Sequence, residues 1–464
     1  MIVQSFGGVE GVTGSCHLVK VGKLNILIDC GMFQGLDEDK NYENFEFDPS
    51  IIDYLILTHF HIDHCGRIPL LVKYGFKGKI ISTKPTYHIT RIMLLDAANV
   101  MREEYKTKLK KAMRKGTPEE VNPPLYDEND VFAAMDYFKI ILDYNQPFSL
   151  SKDVKIVLKN AGHILGSAYV EMYVNLGYQE KKIIFSGDLG TDNKLVIKPI
   201  EYPSEADVVF IESTYGNRNH KPLEESIKEF KTAIIESFKD GGNVVIPTFA
   251  LERAQEILYI LRKMYDAGEL PKCKVFLDSP LAISATRLFL QFPEYLNEET
   301  RSLIDKSYNP FVFSDVYFTT SVEESRKINE IESNAIILAG SGMCNGGRIK
   351  HHLKHNLWRE NSSVVFVGYQ AVGTLGRQIV DGAKKVKIYG EDIAVKAKIY
   401  TINGFSAHAD QSGLLKFLKS CANLQLAYLI HGEPEIMEEF KEVIEKGIGI
   451  KSHIVKKSEY VYIN

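Results

Sequence analysis

Short apolar, β-branched runs separated by polar breaks dominate the first 200 residues. Ile2–Phe6, His17–Val21 and Leu24–Asp29 read as successive strands, and Ile51–Thr58 (IIDYLILT) reads as a buried one. Residues 89–115 carry a helical pattern that ends in the basic stretch KTKLKKAMRKG, read as a solvated helix face. The Pro-rich break TPEEVNPPLYDEND then leads into a second helix from about Glu128 to Ile140.

After Pro203 the texture changes. The strand-like runs VVFIES, NVVIPTF, KVFLDSP, AIILAGS and SVVFVGY are separated by amphipathic stretches such as LEESIKEFKTAIIESFKDGG and ALERAQEILYILRKMYDAG. Strands alternating with helices of this length predict a parallel βαβ sheet. AVKAKIYTINGFSAHAD returns to the style of the first part. The expectation is a discontinuous first domain, residues 1–208 and 394–464, with a βαβ domain over 209–393 inserted into it. A chain of 464 residues is long enough for two or three cores.

Composition narrows the class. With 45% hydrophobic and 25% charged residues the chain reads as soluble and globular, with no apolar run long enough to span a bilayer. The first 20 residues lack the pattern of a secretory signal, and six scattered cysteines form no CxxC pair, so a cytoplasmic location is expected. The formal charge of −4 disfavours a protein that coats nucleic acid through overall basicity, so any polyanion site must be local or carried by metal.

The candidate chemistry lies at the ends of the apolar runs. THFHIDHCG places His59, His61, Asp63 and His64 just after the predicted strand Ile51–Thr58. Asp29 follows LNILI, His163 follows VKIVLKNAG, Asp188 follows KKIIFSG, Glu212 follows DVVFI, His408 follows AKIYTINGFSA and His431 follows LQLAYLI. One strand-end histidine is more often a cap or core residue than a ligand; seven such runs are hard to explain that way. Ligands in α/β proteins gather beyond strand ends, so these residues can converge. His59, His61 and His163 offer three imidazoles to one divalent ion; Asp63, His64 and His431 suit a second; Asp188 can bridge them. Paired ions of this kind act in many phosphodiester hydrolases.

These motifs resemble the metallo-β-lactamase-fold nucleases that carry an inserted β-CASP domain. THFHIDHCG resembles the family's HxHxDH signature; Asp29, His163 and Asp188 fall at its first, third and fourth motifs; Glu212 in IESTYGNR, His408 in FSAHAD and His431 in IHGE fall at motifs A, B and C. PLYDENDV, GSGMCNGGRIKHHLKHNL and GYQAVGTLGRQI are similar to the subgroup of the nuclease subunit of the cleavage and polyadenylation specificity factor and its short prokaryotic relatives. His431 at motif C is what RNA-acting members carry. Only 33 residues follow it, so no further C-terminal domain is expected, nor are N-terminal KH modules. The implied fold is α/β: an αββα sandwich with an inserted parallel-sheet domain.

The implied activity is zinc-dependent hydrolysis of RNA phosphodiesters, endonucleolytic or 5′–3′ exonucleolytic, leaving 3′-hydroxyl and 5′-phosphate ends. Two Zn²⁺ ions are expected on His59, His61, Asp63, His64, His163, Asp188 and His431, with Asp29 supporting. Asp63 orients the nucleophilic water, and His408, oriented by Glu212, protonates the leaving oxygen. RNA phosphates are expected at Ser341, Gly342, Arg348 and Lys350, at Arg377 in GTLGR, and at Ser406 and Arg218, with RNA held between the domains. Arg253 is a further backbone candidate. The same glycines also suit tight turns needed only for packing. A homodimer is one expected assembly, and no membrane partner is. Two rivals remain at this stage: a small-molecule metallo-hydrolase, which leaves the insertion and His408 idle, and a weakly active binding subunit of an RNA-processing complex.

Overall fold

The computed structural model describes every residue except Val372, and the chain packs as two compact units. The first comprises Met1–Asp192, Pro199–Asn219 and Ala407–Asn464; the second comprises Asn193–Lys198 and His220–Ser406.

In the first unit two seven-stranded sheets face each other. One runs in the order Tyr460–Tyr462, Ile2–Gly7, Cys16–Val21, Leu24–Ile28, Tyr54–Ile56, Lys79–Ser82, Phe138–Ile141. The other runs Lys451–Ile454, Leu426–Ile430, Val208–Glu212, Glu180–Phe185, Ala168–Asn175, Val154–Asn160, Pro147–Ser149. Side chains alternate across a strand, and here both faces are apolar. Val3, Val19, Ile26, Ile28, Ile183, Phe185 and Phe210 fill the layer between the sheets. Leu18, Leu27, Leu55 and Ile80 point outward against the helices Ile68–Lys73, Lys84–Lys115 and Glu128–Met135. On the far side Ile184, Val209 and Ile211 meet Gln411–Ser420 and Pro434–Ile448 through Phe417 and Phe440. The result is the αββα sandwich the resemblance implies.

Two elements differ from expectation. The strand expected over Ile51–Thr58 shrinks to Tyr54–Ile56, because Asp48 accepts the Ser50 N–H and turns Pro49–Ile51 into a 3₁₀ helix that leaves Ile51 exposed. The helix expected to reach Ile140 stops at Met135. A capping box between Asp127 and Asp130 starts it, but the β-branched Ile140 and Ile141 join the sheet opposite Ile81 and Ser82.

The second unit holds a six-stranded, wholly parallel sheet in the order Val316–Phe318, Lys274–Asp278, Ala335–Ala339, Val244–Pro247, Ser363–Phe366, Lys398–Thr401. Helices including Leu223–Lys239 and Arg253–Asp266 connect and cover its strands. Strand pairing moves both expected boundaries. Val208–Glu212 pairs with Glu180–Phe185 and Leu426–Ile430, so residues to Asn219 stay with the first unit. Lys398–Thr401 pairs with Ser363–Phe366, so the second unit runs to Ser406 rather than ending at 393. Among the described residues no helix is long and apolar enough to cross a membrane.

Candidate metal centre

The first unit brings the strand-end residues to one place. Asp29 follows Leu24–Ile28 with a left-handed φ of 60°. Its carboxylate accepts the Thr58 N–H and hydroxyl, each at 2.8 Å, and the His64 Nδ1 proton at 2.7 Å. Asp29 therefore faces the protein and turns His64 Nε2 outward, the ring-orienting task of a carboxylate behind a metal-binding histidine. Gly31 is required nearby, since a Cβ there would collide with the Asp63 carbonyl. The loop before the short helix Ile62–Cys65 carries His59 and His61, and the helix itself carries Asp63 and His64.

His163 lies in the turn between Val154–Asn160 and Ala168–Asn175, where Ser167 Oγ accepts its N–H at 3.1 Å. Asp188 lies beyond Glu180–Phe185, and His431 beyond Leu426–Ile430, with a left-handed φ of 49° and its N–H donated to Gly8 O at 2.7 Å. Donor atoms of His59, His61, His163 and Asp188 lie within 4.8 Å of one another, and so do those of Asp63, His64 and His431. Strand ends alone grouped the same imidazoles, with Asp188 as a bridge between the two sets; here Asp188 lies within the first.

The donors fit a divalent ion. His61 Nδ1 and His163 Nε2 approach to 3.2 Å, and His64 Nε2 and His431 Nε2 to 3.3 Å. Two ring nitrogens at such distances share a proton or a cation. Buried His59 Nε2 and Asp188 Oδ1 make no hydrogen bond, although the Asp188 oxygens lie 3.4 Å from His59 and 3.2 Å from His64. Burial holds His59 down to about 3 and His61 to about 4, and it pushes His163 well below the usual range, so all three present neutral nitrogens. For His64 and His431 burial acts downward too, but Asp188 and the neighbouring aspartates outweigh it and raise both. Protons there supply positive charge that a metal ion would supply instead, so binding would release protons.

Donor atoms of Asp188, Glu212 and His408 also lie within 4.8 Å of one another, but Glu212 is engaged by backbone N–H groups and by His408. Glu212 Oε1 accepts the Leu189 N–H at 2.8 Å and its Oε2 the Thr214 N–H at 3.3 Å, while both oxygens stand 3.1–3.3 Å from His408 Nδ1. Burial works against a charged His408, yet Glu212 and Asp188 raise it to about 9. His408 Nε2 lies 3.9 Å from Asp188. The pair is a carboxylate-oriented imidazolium at the edge of the ligand groups.

The expected phosphate contacts are less uniform. Arg348 donates to Asp278 Oδ1 at 2.7 Å and to the Thr319 and Thr320 carbonyls at 3.0 and 2.8 Å, so its guanidinium is occupied in holding the second unit together. Arg377 pairs with Asp381 at 2.8 Å, and Lys350 lies over the Tyr389 ring at 4.9 Å. Ser341 contacts Gly346 within its own loop, and a Cβ on Gly342 would lie 2.8 Å from the exposed Phe249 ring, which would have to shift. Ser406 ends the second unit, and Arg218, in the first, stacks over Tyr215. Arg253 is buried against Glu256 at 2.6 Å.

Several supporting residues escaped sequence reasoning. Thr58, Ser167 and Thr214 hold His59, the His163 turn and His431 through hydroxyl contacts. His17 lies buried between Ser5 and Ser15 at 2.8 and 3.2 Å, and Ser15 donates its N–H to the Asp63 carbonyl. Thr58, which directly precedes the histidine motif, carried the one available signal.

An αββα sandwich with this His/Asp set at its strand ends defines a metallo-hydrolase. Residues 9–234 match the metallo-beta-lactamase superfamily, 254–379 the Beta-Casp domain, and 392–455 the Zn-dependent metallo-hydrolase RNA specificity domain. The chain belongs to the metallo-β-lactamase-fold β-CASP family. It is 38% identical to Ribonuclease TTHA0252 of Thermus thermophilus over 94% of both chains. It is 32% identical to Transcription termination factor FttA of Methanocaldococcus jannaschii, over 100% of this chain and 70% of that one. An RNase J-like protein of the same organism is 31% identical over 98% of each chain. A solved protein of unknown function from Enterococcus faecalis V583 shares the fold at a TM-score of 0.54 and 12% identity, over 99% of both chains.

Proposed function

We propose that the protein is a zinc-dependent ribonuclease of RNA processing or decay, acting in the cytoplasm with two Zn²⁺ ions. The observation that carries this reading is the convergence of two ligand groups beside a Glu212–His408 pair. The ribonuclease and RNase J-like names of relatives that align over nearly their whole lengths support it.

His59, His61, His163 and Asp188 would hold one ion, and Asp63, His64 and His431 the second, with Asp188 between them. Such ions supply a nucleophile at neutral pH and offset charge on phosphoryl oxygens. Asp63 accepts a hydrogen bond from the attacking water and aims it at phosphorus. His408, cationic against Glu212, gives its Nε2 proton to the departing 3′-oxygen. That leaves a 3′-hydroxyl and a 5′-phosphate.

The test is metal analysis of protein purified without chelator, paired with cleavage of end-labelled RNA and chemical identification of the new ends. More than one equivalent of zinc and 5′-phosphate products are expected. Metal without RNA cleavage, with turnover of small esters, would favour a small-molecule hydrolase. RNA affinity with neither metal nor turnover would favour a binding subunit.

A further inference from the structure

The helix Lys84–Lys115 has two unlike halves. Its start is anchored beside the His163 turn: the Thr83 and Thr86 hydroxyls donate to Gly166 O at 2.7 and 3.0 Å, and Pro85, Ile89, Leu94 and Ala98 are buried. Beyond Met101 only Ala112 is fully buried. Between Lys106 and Lys115 stand six cations and no carboxylate. Lys106 and Lys108 are paired with Glu103 and Glu104 at 2.8 and 3.6 Å. Lys110, Lys111, Arg114 and Lys115 are exposed, and among the described residues no carboxylate forms an ion pair with any of them.

At about 100° per residue these four cations share an arc of roughly 140°. The opposite side carries Tyr105, Leu109 and Ala112, which are partly or fully buried. The helix dipole favours Arg114 and Lys115 in the last turn but not Lys110 and Lys111 one turn earlier. Lys110–Arg114 and Lys111–Lys115 are like-charge i,i+4 pairs, which weaken an isolated helix. In a chain of net charge −4 this concentration of positive charge is local, not a by-product of composition.

We infer that this face docks the phosphate backbone of the RNA substrate at a distance from the metal centre, an inference that rests on the ribonuclease reading. From Thr86 to Lys110 the helix runs about 36 Å. At roughly 3.4 Å per stacked nucleotide, about ten nucleotides cover that length. The face therefore selects RNA by length: long strands reach it and short ones do not. An acidic protein would also suit the charge, but RNA is the polyanion the first unit is built to act on.

The test is the full-length variant K110Q/K111Q/R114Q/K115Q, since glutamine keeps helix propensity while removing charge. Its control neutralises four scattered exposed lysines, Lys228, Lys239, Lys272 and Lys306, in the same way. Binding is titrated across salt concentrations with single-stranded RNAs of roughly 30 and roughly 6 nucleotides, with metal content measured in each sample. The arm variant is expected to bind the long RNA about tenfold more weakly, with a salt slope smaller by about 0.7 for each phosphate it no longer neutralises. Its metal content, and its affinity for the short RNA, are expected to match the wild type. Unchanged binding of the long RNA, equal losses on both lengths, or the same loss in the scattered control would each overturn the proposal. Intact RNA binding with lost affinity for polyglutamate would assign the face to an acidic protein instead. A wild type that neither binds nor cleaves either RNA would overturn the ribonuclease reading, and this proposal with it.

Discussion

Asp188 of the first unit and Asp278 of the second are alike in sequence: each is an aspartate at or just beyond the end of an apolar strand, and each is buried against histidine. Their surroundings differ in one respect. Asp278 Oδ1 accepts from Thr319 at 2.5 Å and Arg348 at 2.7 Å, and Oδ2 from Ser325 and His352, both at 2.6 Å. Its lone pairs are used, and the network knits three segments together. Asp188 instead stands 3.2–3.9 Å from five imidazoles, with Oδ1 making no hydrogen bond. Buried polar atoms are nearly always satisfied, so a carboxylate whose Oδ1 bonds none of the imidazoles ringing it is arranged about a shared point. The saturated cluster reads as scaffold; the converging one carries the proposed metal chemistry.

Removing each charge in turn separates the two aspartates. Asp188→Asn is expected to lower zinc content and to cut RNA cleavage by at least about 10⁴-fold, since nucleophile generation and charge stabilisation fail together. Elemental analysis alongside cleavage kinetics checks it; full metal content with near-normal rates would put Asp188 in the same class as Asp278.

Within the centre, His431 and His408 sharpen the distinction. His431→Ala should lose metal and activity together. His408→Ala should keep both ions and lose about 10²–10⁴ in cleavage rate, the usual worth of a positioned general acid. The deficit should shrink on a nitrophenyl phosphodiester, whose leaving group departs without a proton. Metal loss from His408→Ala, or equal deficits on both substrates, would move His408 into the ligand set.

In the second unit the expected loss is of stability, not metal. Asp278→Ala leaves Arg348 and His352 facing a hole, and breaking one partner of such a buried pair costs about 3–5 kcal/mol. Denaturant unfolding should show this with zinc content unchanged. A variant as stable as the parent but depleted of metal would show that the Asp278 cluster is no mere scaffold.

The candidate ligands were legible because four separate apolar runs end in them, one delivering His59, His61, Asp63 and His64 together, and imidazole has few other uses in such numbers. His59, His163 and His431 needed no tertiary knowledge beyond the rule that strand ends converge. Asp278 was not separable from Asp188 by the same rule, because what saturates it comes from Thr319, Ser325, Arg348 and His352, scattered residues that no local pattern ties to it. Arg348 illustrates the cost: a cation after a glycine-rich loop reads as a phosphate contact until the buried carboxylate beneath it is seen. The domain boundaries failed for a related reason. Val208–Glu212 finds its ladder partner in Leu426–Ile430, more than 200 residues away, and local texture does not record pairing. The sandwich was legible through the family motifs, whereas its seams, set by long-range pairing, were not.

The smallest expected effect is the pH dependence of the saturated cluster. Burial pushes the Asp278 carboxyl up, but hydrogen bonds from His352, Ser325 and Thr319 outweigh it and hold the group at about 2, against 3.8 when unfolded. A carboxyl depressed in the folded state contributes stability that is complete above its unfolded value and disappears as pH falls toward the folded one. The window is therefore about pH 4 down to 2, and the contribution about 2 kcal/mol. Asp278→Asn abolishes this titration. The stability gap between wild type and Asp278→Asn should narrow by that amount between about pH 5 and pH 2. Metal-depleted protein is the right sample, because acid also competes with zinc at the histidines and would add a second pH dependence to both curves. Urea midpoints at stepped pH give the answer: curves that stay parallel down to pH 2 would mean that Asp278 carries no depressed carboxyl, and that its four donors do not bind it as the geometry requires.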